Sequence, residues 1–337
     1  MANMKATKVY HDADIDSSVL DGGKIAIIGY GNQGRSHALN LRDSGFKVIV
    51  GNIKDSYWDQ ALKDGFEVYP IDKAVELSDI IYILLPDEMQ PNVYRQMIEG
   101  KLKPGKTLVF ASGFNIHFKW ISVPEHVDVV MEAPRMLGFG VREHYLDKTG
   151  FPTLIAVHQD ASGNAHKTVL ALAKAIGATK MGAFESSFEE EAVLDCFSEQ
   201  GCYAGMYALI QKHFEIAVEA GYSPEIVVLE LWKSGELLDE IRAWMKDGIF
   251  RQIKYHSHTS GYGSLTRGPR LVGSETEKQL RTTLYELQHG YFARELMMEF
   301  LTGETVFNKL VQEALSHPIN EVEERVTKQL QAESTSR

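Results

Sequence analysis

The stretch "KIAIIGYGNQGRSHALNLRDSGFKVIVG", residues 24–51, constrains this chain more than any other. An apolar run at 24–28 leads directly into Gly29, Gly31 and Gly34 with G-x-G-x-x-G spacing. "RSHALNLRDSG" then reads as a helix ended by Gly45, and "FKVIVG" as a second strand. Glycines at these places permit a tight turn, close backbone approach to a pyrophosphate, and helix-on-strand packing. The helix N-terminus offers unpaired N–H groups to that anion. The glycine pattern alone is weak, but between two strands and a helix it is a dinucleotide fingerprint, with Tyr30, Asn32 and Gln33 completing the loop.

The end of the second strand bears on which dinucleotide binds. An NAD site usually places Asp or Glu there for the ribose hydroxyls. Here Gly51 and Asn52 stand in that place, followed by Lys54 and Ser56, both suited to a 2′-phosphate. Asp55 opposes this with its negative charge, so NADP is favoured and NAD stays possible. Lys54 also reads equally well as a solvated loop lysine.

Further strand-like runs are 79–87, 106–113, 127–134 and 151–159, several of them separated by helical segments such as 89–100. That alternation predicts a parallel sheet covered on both faces. Beyond residue 185 the pattern is helical only. The expected organisation is therefore an α/β Rossmann-like domain over 1–185, an all-helical domain over 186–330, and a tail over 331–337. Within the second part Ser223 and Pro224 read as N-cap and first helical residue. "YHSHTSGYGSLTRGPR", 255–270, reads as a glycine-rich interruption before a helix near Glu275.

A chain of 337 residues is long enough for two such domains. Its net charge of −11 argues against nucleic acid or an anionic membrane as the main partner. No membrane-length apolar run and no signal-peptide core are visible. The two cysteines, Cys196 and Cys202, do not suggest a disulfide, so a reducing cytoplasm is expected.

One feature of the helical part is unusual. "VLDCFSEQ", 193–200, places Asp195 and Glu199 four apart among apolar residues. On a helix they share a face, and like charges there need a cation, an arginine or water between them. Mg²⁺ suits two carboxylates and retains several waters. Glu189, Glu190 and Glu191 read as a solvated helix start favoured by the helix dipole.

Together, "IGYGNQGRSHALNLRDSG", "ILLPDEMQ", "GFNIHF", "LIAVHQDASG", "LDCFSEQ", "EAGYSPE" and "GPR" resemble the ketol-acid reductoisomerases of the short bacterial type, from about Val9 to about Gln331. The resemblance implies a Rossmann-like NADPH domain and a knotted helical domain that forms a homodimer or dimer-based oligomer. It also implies two Mg²⁺ ions that grip a 2-acetohydroxy acid through an alkyl shift before hydride transfer. By that resemblance Asp195, Glu199 and Glu230 are metal ligands with catalytic roles, Glu230 coming from the partner subunit. Ser257 holds the substrate carboxylate, and Pro86 in "ILLPDEMQ" belongs to the cofactor side.

Departures from the family pattern fall at the substrate side. Ser234 replaces a second glutamate, Ser112 a histidine and Arg135 a lysine; Phe139 ends a run that normally closes on histidine. His258 and Gly261 replace acidic residues around Ser257. Arg135 and Ser112 are thus candidate catalytic residues, and Ser234 and His258 candidate substrate contacts. An arginine is almost never neutral and cannot serve as an acid near pH 7. These departures suggest an NAD(P)H-dependent reductase of a small keto acid or imine that has lost the alkyl shift, with one Mg²⁺ or none. The alternatives are a genuine ketol-acid reductoisomerase making 2,3-dihydroxy-isovalerate from 2-acetolactate, and a non-catalytic dinucleotide-binding dimer.

Overall fold

The computed structural model describes residues 6–331; of the tail expected at 331–337, Gln331 ends a helix and 332–337 lie outside the described residues. Contacts divide the chain into two units between Asp195 and Cys196. The first unit is built on nine strands: β1 (Val9–Tyr10), β2 (Lys24–Ile28), β3 (Lys47–Gly51), β4 (Glu67–Tyr69), β5 (Ile80–Ile83), β6 (Thr107–Phe110), β7 (Asp128–Pro134), β8 (Thr153–Gln159) and β9 (Ala183–Glu185). They form one sheet in the order β1-β9-β8-β7-β6-β5-β2-β3-β4. Its helices are α1 (Asn32–Asp43), α2 (Ser56–Lys63), α3 (Ile71–Leu77), α4 (Gln90–Val93), α5 (Phe114–His117), α6 (Gly138–Leu146), α7 (Ala165–Ala175) and α8 (Phe188–Phe197).

The two faces of the sheet follow from side-chain alternation along its strands. Ile25 and Ile27 of β2 point into one buried cluster with Leu41, Tyr82 and Val169. Ala26 and Ile28 point into a second, with Ile81, Ile83 and Leu108. A strand buried on both faces must read as a continuous apolar run, and "KIAII" does.

The sheet is not wholly parallel, contrary to the sequence expectation. β8 runs antiparallel to β7, from Val129↔Gln159 to Pro134↔Thr153, and β1 runs antiparallel to β9. Hydrophobic alternation carries no record of strand direction. A helix between two strands, here α6, does not oblige them to be parallel.

The unit division falls inside α8 because the start of that helix belongs to the sheet. Phe188, Glu191, Ala192 and Val193 are buried in the first unit. The second unit contains a π-turn (Ser198–Tyr203), α9 (Ala204–Glu219), α10 (Pro224–Val228), a π-turn (Leu229–Lys233), α11 (Glu236–Asp247), α12 (His258–Leu271), α13 (Ser274–Gln288), α14 (Tyr291–Leu301), α15 (Thr305–Ser316) and α16 (Ile319–Gln331). Ser223 is the N-cap of α10 with Pro224 following, as the sequence indicates.

The glycine-rich interruption expected at 255–270 is instead mostly α12, which contains Gly261, Gly263, Gly268 and Pro269. The Ser257 hydroxyl caps it, accepting from the Ser260 amide at 3.2 Å. One such side-chain bond at the N-terminus offsets part of the cost of interior glycine. In this unit α16 is held to α10 and the turn after it by Trp232 to Glu323 (2.9 Å) and Arg325 to Glu225 (2.8 Å). Phe214, Val227, Val228, Val322 and Val326 form its buried cluster.

Candidate active site

The fingerprint glycines are demanded by close approach. A Cβ on Gly34 would sit 2.0 Å from the Gly29 carbonyl oxygen, and one on Gly29 2.7 Å from that of Leu84. Gly29 also has φ +91°, a region side chains rarely adopt. A Cβ on Gly31 meets nothing within 4 Å. Gly31 is the N-cap of α1 and brings no side chain to the helix amides. Open space above an uncapped helix N-terminus is where a pyrophosphate fits.

The rest of the fingerprint is fixed from outside. Tyr30 is buried and its hydroxyl donates to Asp64 at 2.9 Å. Gln33 Nε2 donates to the Met136 carbonyl at 3.1 Å, and Ser36 Oγ to that of Gly138 at 2.7 Å. Asn32 lies against Gly138, whose Cβ would approach it to 2.6 Å. Arg35 pairs with Asp64 at 2.7 Å and so serves the protein surface as placed.

Beside β3 the structure settles the standing of Asp55. Its Oδ1 accepts from the Tyr57 and Trp58 amides, both at 3.0 Å, and from Asn52 Nδ2 at 2.8 Å. It is the N-cap of α2, so its charge is directed to that helix. Lys54 and Ser56 on either side are exposed. Pro86 is exposed in the turn after β5. In sheet order β5 and β3 flank β2, which puts these turns at the crossover where dinucleotides bind.

A second polar cluster lies at the strand ends of the same unit. Arg135, just past β7, reaches Glu191 Oε1 through Nη2 and Asp195 Oδ1 through Nη1, each at 2.8 Å. The cation beside Asp195 is thus an arginine. Glu191 is not the solvated helix residue expected from "EEE". It is 1% exposed and accepts the Gly113 amide at 2.6 Å. Burial pushes its carboxyl pKa up, against the pull of Arg135 and Gly113.

Ser112, next to Gly113, accepts from the Phe114 amide at 3.2 Å. Its hydroxyl weakly draws down the pKa of Asp87, a residue that motif reading passed over. Burial of the Asp87 carboxyl group, then Glu191, Glu88 and Asp195, push its pKa up to about 7. The tripeptide "PDE" shows only Glu88, because the other two carboxylates come from α8.

The candidate groups of the second unit are placed separately. Glu199 is exposed on the π-turn Ser198–Tyr203, and Glu230 on the π-turn Leu229–Lys233. Ser234 Oγ accepts from the Glu236 amide at 3.4 Å, at the start of α11. His258 is exposed at the start of α12 beside Ser257. Phe139, in the first unit, is 62% exposed on α6. Among the described residues no three His, Cys, Asp or Glu side chains stand together as a metal site. Hard oxygen donors such as Asp195, Glu199 and Glu230 match Mg²⁺ in kind.

A doubly wound sheet with this cradle defines a dinucleotide-dependent oxidoreductase carrying an additional helical unit. Residues 19–182 match the family model "Acetohydroxy acid isomeroreductase, NADPH-binding domain", and residues 188–332 match "Ketol-acid reductoisomerase, C-terminal domain". The chain belongs to the ketol-acid reductoisomerase family. It is 42% identical to the NADP(+) ketol-acid reductoisomerase of Pyrobaculum aerophilum, across 96% of this chain and 98% of that one. The Pyrobaculum islandicum enzyme of the same name is 44% identical across 93% and 94%. The structure of an NADH-preferring ketol-acid reductoisomerase from an uncultured archean superposes with TM-score 0.91 at 39% identity, over 95% of this chain and 98% of the other. The first unit is therefore an NADP(H)-binding domain and the protein an NAD(P)-dependent oxidoreductase.

These relatives overturn the expectation of a keto-acid or imine reductase without the alkyl shift. That expectation gave a few altered side chains more weight than near-full-length identity to ketol-acid reductoisomerases. Arg135 engages two carboxylates of α8, one of them a candidate metal ligand.

Proposed function

We propose that this protein is a ketol-acid reductoisomerase that converts 2-acetolactate, or a similar 2-acetohydroxy acid, to the 2,3-dihydroxy acid. The observation that carries this reading is the identity of 42% over 96% of the chain to an enzyme of that name, joined to an intact dinucleotide cradle. NADPH supplies the hydride when bound, and Mg²⁺ supplies the positive charge that polarises the carbonyl and steadies the alkoxide.

In this reading each candidate residue has a part. The amides at the start of α1, approached across Gly29, Gly31 and Gly34, receive the pyrophosphate. Lys54 and Ser56 receive the 2′-phosphate, and Pro86 borders the nicotinamide end. Asp195 and Glu199, with Glu230 of a second copy, hold one Mg²⁺. Arg135 holds Asp195 by one oxygen, and its fixed charge offsets the repulsion between Asp195 and Glu191. Ser257 and the adjacent His258, with Ser234, receive the substrate carboxylate. Ser112 offers a hydroxyl to the substrate.

The working form is a homodimer in the cytoplasm. Support for the dimer comes from large apolar side chains left exposed in the helical unit, among them Tyr207, Ile216, Phe250, Leu271, Leu301 and Leu315. Among the described residues no helix is long and apolar enough to cross a membrane. The test is incubation with 2-acetolactate, NADPH and Mg²⁺, following cofactor absorbance and identifying the product. Turnover at ~1 s⁻¹ or faster with 2,3-dihydroxy-isovalerate as product is expected. Oxidation of NADPH with 2-ketopantoate but never with 2-acetolactate would refute the reading.

A further inference from the structure

His37 and Glu132 are both fully buried, and neither has a part in the reading above. Glu132 alternates with Val130 along β7 and so faces the side of the sheet that α1 covers through Ala38 and Leu41. There His37 Nε2 lies 3.2 Å from Glu132 Oε2, and Thr153 Oγ1 donates to the other carboxyl oxygen at 2.6 Å. His37 Nδ1 lies 2.8 Å from the carbonyl oxygen of Gln33, one turn earlier on α1. A carbonyl oxygen can only accept, so Nδ1 carries a hydrogen and donates it. Glu132, on the opposite nitrogen, fixes the orientation of the ring. The Gln33 carbonyl belongs to the same peptide group as the Gly34 amide. The first bond of the α1 ladder runs from the Arg35 amide to the Gly31 carbonyl oxygen at 2.9 Å. The amides of Asn32, Gln33 and Gly34 precede it and are the donors a helix leaves open at its start.

Resting on the reading of this cradle as the pyrophosphate site, we propose that His37 is a positioning residue for the dinucleotide, sharpening the Gly34 amide as an anion donor through the Gln33 carbonyl. A hydrogen bond accepted by a peptide carbonyl draws electron density from the N–H of the same group, and bonds in such a chain strengthen one another. The low dielectric around a 0% exposed ring enlarges the effect. Geometry is served as well. Gln33 is gripped at its carbonyl by His37, and its side chain is gripped by the Met136 carbonyl oxygen at 3.1 Å. On the other side Gly34 is pressed against Gly29, whose carbonyl oxygen would lie 2.0 Å from a Cβ there. The peptide joining Gln33 to Gly34 is thus held from both ends, and a donor already in place costs no ordering when an anion binds. A ring whose sole service was to pair with Glu132 would need only Nε2, so variants that separate the two nitrogens separate the two roles.

The experiment uses the full chain and measures NADPH affinity by calorimetry, with adenosine 2′-monophosphate, which lacks the pyrophosphate, as the control probe. Asparagine places an amide nitrogen near the position of Nδ1, and glutamine places one near that of Nε2. His37→Asn therefore keeps a donor to Gln33 and loses the pairing with Glu132, and His37→Gln does the reverse. His37→Gln should weaken NADPH binding by about 3- to 10-fold, the scale of one net hydrogen bond. His37→Asn should stay within about 2-fold of wild type. Neither should change the affinity for adenosine 2′-monophosphate. Phosphorus NMR of bound NADPH gives a second readout: His37→Gln should move the pyrophosphate signals and leave the 2′-phosphate signal in place. The proposal is overturned if His37→Asn binds NADPH more weakly than His37→Gln, if both probes weaken together, or if neither variant changes NADPH binding. Should His37→Asn fail to fold with Glu132 left unpaired, both variants are compared in a Glu132→Gln background by the same criteria. Loss of NADPH affinity in Gly31→Ala with full affinity in His37→Gln sinks the proposal alone. Unchanged affinity in Gly31→Ala sinks the cradle reading and the proposal with it.

Discussion

The two units of this chain solve the burial problem differently. The sheet unit encloses its strands between two apolar layers, with Ile25, Ile27, Ile81 and Ile83 at 1% exposure or less. The helical unit has a small cluster around Phe214 and Val228, while Leu271, Leu301 and Leu315 are each more than 60% exposed. Large exposed apolar surface on a folded unit marks an interaction face. The sheet unit is a finished core, whereas the helical unit leaves much of its apolar surface uncovered.

The sharpest way to break that contrast is mutation in each half. Ile81→Ala, at a site 0% exposed, should cost ~2–5 kcal/mol in urea unfolding at any protein concentration. Leu310→Ala, at a site 57% exposed, should cost under about 0.5 kcal/mol in dilute protein. At high concentration Leu310→Ala should cost more, with a wild-type Tm that rises with concentration. A concentration-independent Tm would show that the helical unit needs no second copy.

Next in size is Arg135→Ala, which leaves Glu191 buried with one amide donor. Removing one partner of a buried pair costs about 3 kcal/mol, and Arg135→Lys should recover part of it. An unchanged urea midpoint would mean that Glu191 simply takes up a proton without loss.

Gly31→Ala separates binding from folding within the sheet unit. The added methyl meets open space in the protein but lies where a pyrophosphate fits. NADPH affinity by calorimetry should fall about 10-fold, ~1.4 kcal/mol, with Tm nearly unchanged. Gly34→Ala, 2.0 Å from the Gly29 carbonyl oxygen, should lose both.

The smallest expected effect concerns pH. The folded pKa of Asp87 is raised above the ordinary aspartate value of 3.8 to about 7. Protonated Asp87 therefore favours the fold below pH 3.8, and that contribution is lost as pH rises through about 7. Asp87→Asn should raise Tm at pH 8 by ~2–4 °C relative to its effect at pH 5. An equal shift at both values would assign the change to packing alone.

How much of this was legible in residue order depended on range. "KIAIIGYGNQG" declares strand, turn and helix within one window, and the cradle follows it closely. Val9–Tyr10 and Ala183–Glu185 escaped notice because two or three residues carry no period. Helix α12 was hidden because Gly261, Gly268 and Pro269 are locally poor helix formers. Asp195 announced itself by its apolar neighbours, whereas Glu191 and Asp87 did not. Much of their surroundings comes from residues far off in sequence, Arg135 and Gly113 for Glu191 and Asn115 for Asp87, and no spacing rule reaches that far.

The π-turn at Leu229–Lys233 has a consequence for reading such chains by spacing. A turn closed from i to i+5 holds one residue more than an α turn, so it changes the angular phase of everything after it. Glu230 lies within that turn and Ser234 just beyond it, so the usual four-residue rule does not place them on a common line. The additional residue acts as a vernier. The carboxylate at 230 is aimed by the count of residues around it as much as by its own identity.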